Sequence, residues 1–558
     1  MKRLSFVFLI AVTGSILMVS CKQGDKSTLQ VPIDAGFVLH VNNTSLSTKL
    51  SWDEIKATKW FKEVSAESTD TLFARLLENP ENSGMDTKAD MIAYMKKQSK
   101  SGYFAFGGSL KDPAAFELFN KKMNDGEGVV TKDGETNFMT LKEKGIVAWK
   151  GTRFVYIIDA PMGGTMYPPL TGASNPSEPY KFPLDSLKAF GKASFDINGK
   201  NSLGSDDRFA ELMKEPGDVH MWVNSEQYLS SLGGDMLGMM KVGDLFKGNA
   251  SAITMSFDNG KIVFKSKQYL NEQLASLYKK YPPKKISADV INRIPSQNVA
   301  GVFALNYSPE GLKELIKLTG FDGFTNEFLA KAGYSIDEFV KANKGDLIVA
   351  ISDFQVKKKD VIIPGYEGSE PTTYSTTQPD VKFLFATSVN DKAAFDKLIN
   401  TLSQQLGNEK PVPDLTYQIN KDWFVAGNST DYVTKFLAGP STKQAFADKL
   451  SGQSFGAFID LQIIIKGTQS EASSVEDKAM ADASLKMWQD VLMTSGGELK
   501  NGVANSLVEI NLVDKSVNSL KQLNQYIDAM SIHRKKKMPG TDDVIVEPVA
   551  PPVAEPKN

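Results

Sequence analysis

Few residues in this chain are of the types that most often carry chemistry. Its 558 residues include three histidines, His40, His220 and His533, and one cysteine, Cys21. With no His-x-x-x-His pair and no H-E-x-x-H run, a zinc site would have to be assembled from distant parts of the chain. His40 and His220 each stand in a stretch of strand character just before an apolar residue, and read as core or strand-surface histidines. Gly452-Gln453-Ser454-Phe455-Gly456 has the G-x-S-x-G spacing that holds a nucleophilic serine on a sharp strand-to-helix turn. Here the order of elements is reversed, because a helix ending near Leu450 leads into a strand from Phe455 to Asp460. The only histidine downstream is His533, in a basic run, so a glycine-rich helix-to-strand turn is expected and no catalytic serine. Acid pairs such as Asp53 and Glu54, or Asp542 and Asp543, have the pattern of a helix N-terminus or a solvated tail. Asp196 and Asn198 begin a calcium-loop pattern that Lys200 and a missing glutamate end. No glycine-rich dinucleotide or Walker A sequence is present. The expectation is no catalytic residue, no metal and no cofactor.

Cys21 is placed differently. Lys2 and Arg3 precede an uncharged stretch from Leu4 to Ser20, which is the charged region and apolar core of a signal peptide. At 17 residues, broken by Thr13, Gly14 and Ser15, it falls short of the about 20 needed to cross a bilayer. Leu17-Met18-Val19-Ser20 before Cys21 resembles a lipobox, with Met18 where leucine is usual. In such a signal the cysteine is lipidated and becomes the mature N-terminus. The mature chain would then have no free thiol for a disulfide, a metal or nucleophilic attack. Two or three acyl chains, at about 0.8 kcal/mol per buried methylene, anchor a protein stably without a spanning helix.

The elements that would position any site appear twice. Ala35–Leu46 matches Ala300–Leu312, and Asp90–Met95 matches Asp346–Ile351. Tyr103–Phe106 with the helix start at Asp112 matches Lys382–Phe385 with Asp391. Phe209-Ala210-Glu211 before the strand Val219–Asn224 matches Phe446-Ala447-Asp448 before Phe455–Asp460. Ala252–Phe257 with a helix from Gln268 matches Ser506–Leu512 with a helix from Ser516. Ordered matches with drifting offsets are the mark of a tandem duplication with loop insertions. The expected organisation is a signal peptide over 1–20, a tether over 21–29, one α+β copy over 30–285, a linker over 286–291, a second copy over 292–532, and a basic run with a proline-rich disordered tail over 533–558.

Within each copy the local signals favour a largely antiparallel sheet with helices on one face. Ser51 with Glu54, and Ser335 with Glu338, have capping-box spacing. Asp112-Pro113 and Ser308-Pro309 place a cap before a first-turn proline. Asp258-Asn259-Gly260 predicts a type I′ hairpin turn, with positive φ at both central residues. Trp52 and Trp60 share a helix face with Ile55, which predicts core packing. Pro161–Pro183, with six prolines, and Lys357–Asp380, which is Thr- and Tyr-rich, are expected to be long surface loops.

Charge is nearly balanced at −2, and only six of the 64 basic residues are arginine, so nucleic acid is not an expected partner. With Val31-Pro32-Ile33-Asp34-Ala35 before the first strand, Gly84-Met85-Asp86 before the second and Ile294-Pro295 opening the second copy, the chain resembles a family of large uncharacterised lipoproteins of Bacteroidetes-type bacteria. That family is a domain of unknown function of about 500 residues, and the resemblance implies no activity or ligand. The sequence reading is an outer-membrane lipoprotein, held at the membrane through its N-terminal lipid on the periplasmic face or the cell surface. It leans to a non-catalytic binding or scaffolding role with an envelope protein or glycan as partner. The alternative is a hydrolase of envelope or imported polymers using carboxylates. Close acid pairs in a pocket between the copies would favour the hydrolase, and an apolar or aromatic groove there would favour binding.

Overall fold

The computed structural model describes residues 30–536, apart from 68–78, 99–100, 125, 127, 143–144, 161–180, 228–244, 364–371, 407–414, 470–473 and 497–498. Cys21, the signal peptide, the tether, most of the loop 161–183 and the tail beyond Lys536 therefore lie outside the described residues.

Apolar and β-branched runs form eighteen described strands. In the first half these are β1 (Phe37–Val41), β2 (Met91–Gln98), β3 (Ser101–Ser109), β4 (Val130–Asp133), β5 (Thr136–Leu141), β6 (Gly145–Lys150), β7 (Arg153–Ala160), β8 (Val219–Asn224), β9 (Ala250–Asp258) and β10 (Lys261–Tyr269). The second half supplies β11 (Val299–Asn306), β12 (Asn343–Ile363), β13 (Thr372–Val389), β14 (Thr416–Ile419), β15 (Trp423–Gly427), β16 (Phe455–Asp460), β17 (Trp488–Ser495) and β18 (Val503–Leu512).

Every pairing between these strands is antiparallel. The first half runs β4-β5-β6-β7-β3-β2-β1-β8-β9-β10. The second runs β14-β15-β13-β12-β11-β16-β17-β18. β10 then pairs with β18 from Lys261 opposite Asn511 to Tyr269 opposite Val503, so both halves belong to one continuous sheet. The pairings around the first strand of each half share their register. Val41 lies opposite Met91 and Val219, and Leu305 lies opposite Leu347 and Phe455. In this order β10 corresponds to β18, so the match of Ala252–Phe257 to Ser506–Leu512 is displaced by one strand: the former lies in β9. The paired helices begin at Glu272 and Ser519, later than Gln268 and Ser516.

Helices cover both faces of the sheet rather than one. Successive β2 residues explain why: Met91 and Ala93 pack with Phe116 on one side, while Ile92 and Tyr94 pack with Leu187 and Phe209 on the other, and all four are buried. A strand buried on both faces must be continuously apolar, as this one is. The second half repeats this with Phe395 on one side and Phe436 and Phe446 on the other. Residues 286–291 are more than a connection, since Ile286 and Ile291 are buried in that second core and Ala288–Ile291 is helical.

Several local signals take the expected form. Ser51 and Glu54 make the reciprocal capping box, and Asp112 accepts from Ala114 N and Ala115 N. Ser335 accepts from Glu338 N, but its own hydroxyl donates to the glutamate in place of the backbone bond of a full box. At 258–260 only Gly260 is left-handed, with φ 66°. Asn259 instead bridges to Asn518. The turn with positive φ at both central residues is Asn501-Gly502, at 53° and 77°, closed by Val503 N donating to Lys500 O. Lys357–Asp380 is not a loop over its whole length. β12 and β13 pair outward as far as Ile363 opposite Thr372, as the β-branched residues of both segments allow.

The last helix of each half also reaches the other half. Ser519–Lys536, which follows β18, packs on Val475–Met487 of its own half and on Lys59–Glu67 of the first, while Glu272–Lys280, which follows β10, packs on Pro309–Leu318 of the second. Leu520 joins Leu46, Leu50, Ile55 and Phe61 in one buried cluster flanked by Trp52 and Trp60, so the tryptophan stripe is core. Trp60 Nε1 donates to Asn524 Oδ1 at 3.0 Å. Leu520→Ala is expected to cost about 2–5 kcal/mol of unfolding free energy. Urea denaturation checks this, and a loss within error of zero would show that the last helix is not part of the core.

Candidate functional site

Two of the places where polar or charged side chains gather lie at the ends of strands beside the first strand of a half. In the first half, β1 and β8 place His40 directly opposite His220. The rings meet at Nδ1, 3.0 Å apart, and both residues are buried. His40 Nε2 lies 3.0 Å from Asp90 Oδ2, at the start of β2, and His220 Nε2 lies 2.9 Å from the Glu215 carbonyl. A carbonyl only accepts, so His220 Nε2 carries a proton, and in a neutral ring its Nδ1 must accept. His40 Nδ1 then donates, and the contact with the Asp90 carboxylate is also a hydrogen bond only if His40 Nε2 bears a proton. All three bonds exist together when the chain of groups holds one proton more than two neutral rings supply.

Burial, with the adjacent His40 imidazole as the second cause, holds the pKa of His220 below its ordinary value. Glu215, in the turn that covers His220, is raised by burial, but hydrogen bonds from Lys267 and Thr254 outweigh this and leave its carboxyl below the usual range. The matching positions in the second half are Ala304 and Gly456, which lie opposite each other on β11 and β16, with Leu450 packed over the glycine. At these paired positions the first half is thus polar and the second apolar. The signal of the histidine pair in the sequence was slight, since the two residues are 180 positions apart and become neighbours only through strand pairing. Among the described residues no group of three or more His, Cys, Asp or Glu side chains could hold a metal ion.

The second place is the junction. Helix Glu272–Lys280, the segment Pro282–Lys285, Ser454 and the turn 499–502 surround an open cleft of about 950 Å³. Its lining includes Ala275, Ser276, Tyr278, Pro282, Pro283 and Leu499, one carboxylate (Glu272), and three lysines (Lys279, Lys284, Lys285). Ser454, in the G-x-S-x-G stretch, sits between helix Ala447–Leu450 and β16. Its hydroxyl is directed at the Ser495 carbonyl at 3.4 Å, with no imidazole as partner. The backbone bond from Asn306 N to Ser454 O matches that from Asn42 N to Asp218 O in the first half. There the equivalent position is plugged. Asp218 is fully buried, 2.6 Å from Lys49 Nζ, and accepts from Ser45 Oγ and Phe257 N. The contrast between a closed ion pair and an open cleft has no signal in the sequence.

No protein-family model matches the chain, and no curated protein matches it significantly. Among solved structures, crystal forms I, III and IV of TP0453 align with TM-scores of 0.24, 0.23 and 0.23 at 10% identity. The alignments cover 46% of this chain and 87–88% of that one. A superposition so loose carries no argument about fold or function.

Because the folded pKa of His220 is depressed, the unfolded chain takes up the proton first. The stabilisation is present above the ordinary imidazole value of about 6.5 and is lost as pH falls through the lower folded value. Urea midpoints are expected to drop between about pH 7 and about pH 5, and the drop should be shallower in His220→Gln, which keeps a donor for the Glu215 carbonyl. An equal slope in wild type and variant would remove His220 from the acid response.

Proposed function

We propose that the protein is a lipid-anchored cell-envelope lipoprotein that binds its ligand, without catalysis, in the cleft between its two halves. The observation that carries this reading is the lining of the cleft. Glycoside-type hydrolysis needs two carboxyl groups about 5–9.5 Å apart, and this cleft has Glu272 alone among its lining residues. Its serine is paired with a carbonyl and has no base beside it. What remains is an aromatic ring, two prolines and lysines, which are means of holding a ligand rather than of breaking a bond.

Anchoring rests on the short apolar stretch and the position of Cys21, and the resemblance to the Bacteroidetes-type lipoproteins belongs with it. No helix among the described residues is long and apolar enough to cross a membrane. The tether 21–29 reaches at most about 30 Å when extended, which would keep Gln30 within that distance of the bilayer. The matching pairing order and register support a further part of the reading, that the two halves are tandem duplicates. After duplication the cleft would be the place where the copies diverged, one keeping a buried ion pair and the other an opening.

Two experiments test this. Cys21→Ala should abolish fatty-acid labelling and release the protein from membranes; a variant that stays bound, beside a wild type that takes up no label, overturns the anchor. A photo-crosslinking residue in place of Ser276 should capture envelope material in cells, and a serine-directed fluorophosphonate should leave the protein unlabelled. Covalent labelling at Ser454 would overturn the non-catalytic reading.

A further inference from the structure

We propose that the junction cleft takes an acidic oligosaccharide, a short glycan bearing carboxylate or phosphate groups. This rests on the binding reading above and names its ligand class. Lys279, Lys284 and Lys285 are exposed around the cleft and make no ion pair among the described residues, although lysines elsewhere are commonly paired, as in Lys261 with Glu509 and Lys267 with Glu211 and Glu215. The net charge of the chain is −2, so three unpaired cations facing one glutamate form a local positive field against the overall balance. Concave, low-dielectric walls concentrate such a field.

The remaining lining selects among anions. Tyr278, Pro282 and Pro283 offer flat apolar surface of the kind that packs against a sugar ring, and Ser276, Asn501 and Glu272 supply neutral or acidic partners for hydroxyl groups. Asn501 is held in place by its turn, with left-handed backbone at both Asn501 and Gly502. Lysine binds a phosphate or carboxylate as a point charge and imposes no bidentate geometry. The cleft therefore suits anions spaced along a flexible polymer better than one rigidly held phosphate. Its volume of about 950 Å³ has room for several sugar units.

The test uses the mature full-length protein in detergent and isothermal calorimetry with three probes. These are tetragalacturonate as the acidic sugar, maltotetraose as the neutral one and tripolyphosphate as the anion without sugar. Tetragalacturonate is expected to bind more tightly than either of the others, and more weakly as salt rises from about 50 to about 300 mM. Combined Lys279→Gln, Lys284→Gln and Lys285→Gln should weaken it by about tenfold or more. Lys132→Gln, Lys200→Gln and Lys443→Gln together remove the same charge outside the cleft and should have little effect. Tripolyphosphate binding as tightly as tetragalacturonate overturns the sugar component. Equal binding of the two sugars, with no effect of the cleft triple variant, overturns the acidic class. If neither sugar binds while the crosslinker at Ser276 still captures envelope material, the ligand class is wrong and the binding reading stands; if both fail, both fall.

Discussion

The backbone ladder between β10 and β18 is what makes two halves into one molecule. Either strand alone would be a sheet edge of about nine residues with unpaired N–H and C=O groups, the kind of edge that recruits other chains. Paired with each other, they satisfy those groups along nine facing residues and bring the hairpin turns of each half against the other. The turn at Gly260 receives the backbone of residues 514–518, with Lys515 Cα so close that a Cβ at Gly260 would lie 2.5 Å from it. On the opposite side Leu270 N donates to Gly502 O. The outer ends, β4 and β14, are only four residues long, which limits the edge that remains.

The reach of each terminal helix into the other half follows from that ladder. Once β10 and β18 lie side by side, the chain leaving each of them emerges over the other half, and its helix covers apolar surface there. Leu520 fills a cluster made of first-half residues, and Gly311 lies so close to Tyr281 that an added Cβ would stand 2.9 Å from that residue's Cβ. The two helices are unequal. Helix Ser519–Lys536 has 18 residues and ties to Glu54 through Lys521, whereas helix Glu272–Lys280 has nine and is followed by Pro282 and Pro283. Proline cannot continue a helix. Lys284 and Lys285, after the shorter helix, line the cleft.

The histidine pair and the Asp218 ion pair concentrate polar groups at one end of the first-half strands, where the second half has Ala304, Gly456 and Ser454. These buried groups are matched: imidazole to imidazole, and the Asp218 carboxylate to lysine and backbone N–H. Burying such groups is tolerable only when their hydrogen bonds are complete. That end of the first half is consequently closed, while the corresponding end of the second opens into the lysine-lined cleft.

The sequence by itself determined what local physics decides. Cap residues such as Ser51 and Asp112 set helix starts because they satisfy backbone donors within three positions, and apolar alternation marked most strands. It also carried the order of elements in both halves, apart from the last match, where two successive strands of similar pattern, β9 and β10, could not be told apart. Tertiary structure decided everything that depends on which strand lies beside which. Helices cover both faces because central strands such as β2 present apolar residues to each, and which helix packs on which face follows from the sheet order. Asn259 does not take the expected turn conformation and bridges to Asn518, far along the chain. His40 met His220, and Lys279 came to share a cleft with Asn501, through pairings across 180 and 222 residues. Spacing along the chain holds no record of such distances, because the contact is made by the register of the sheet.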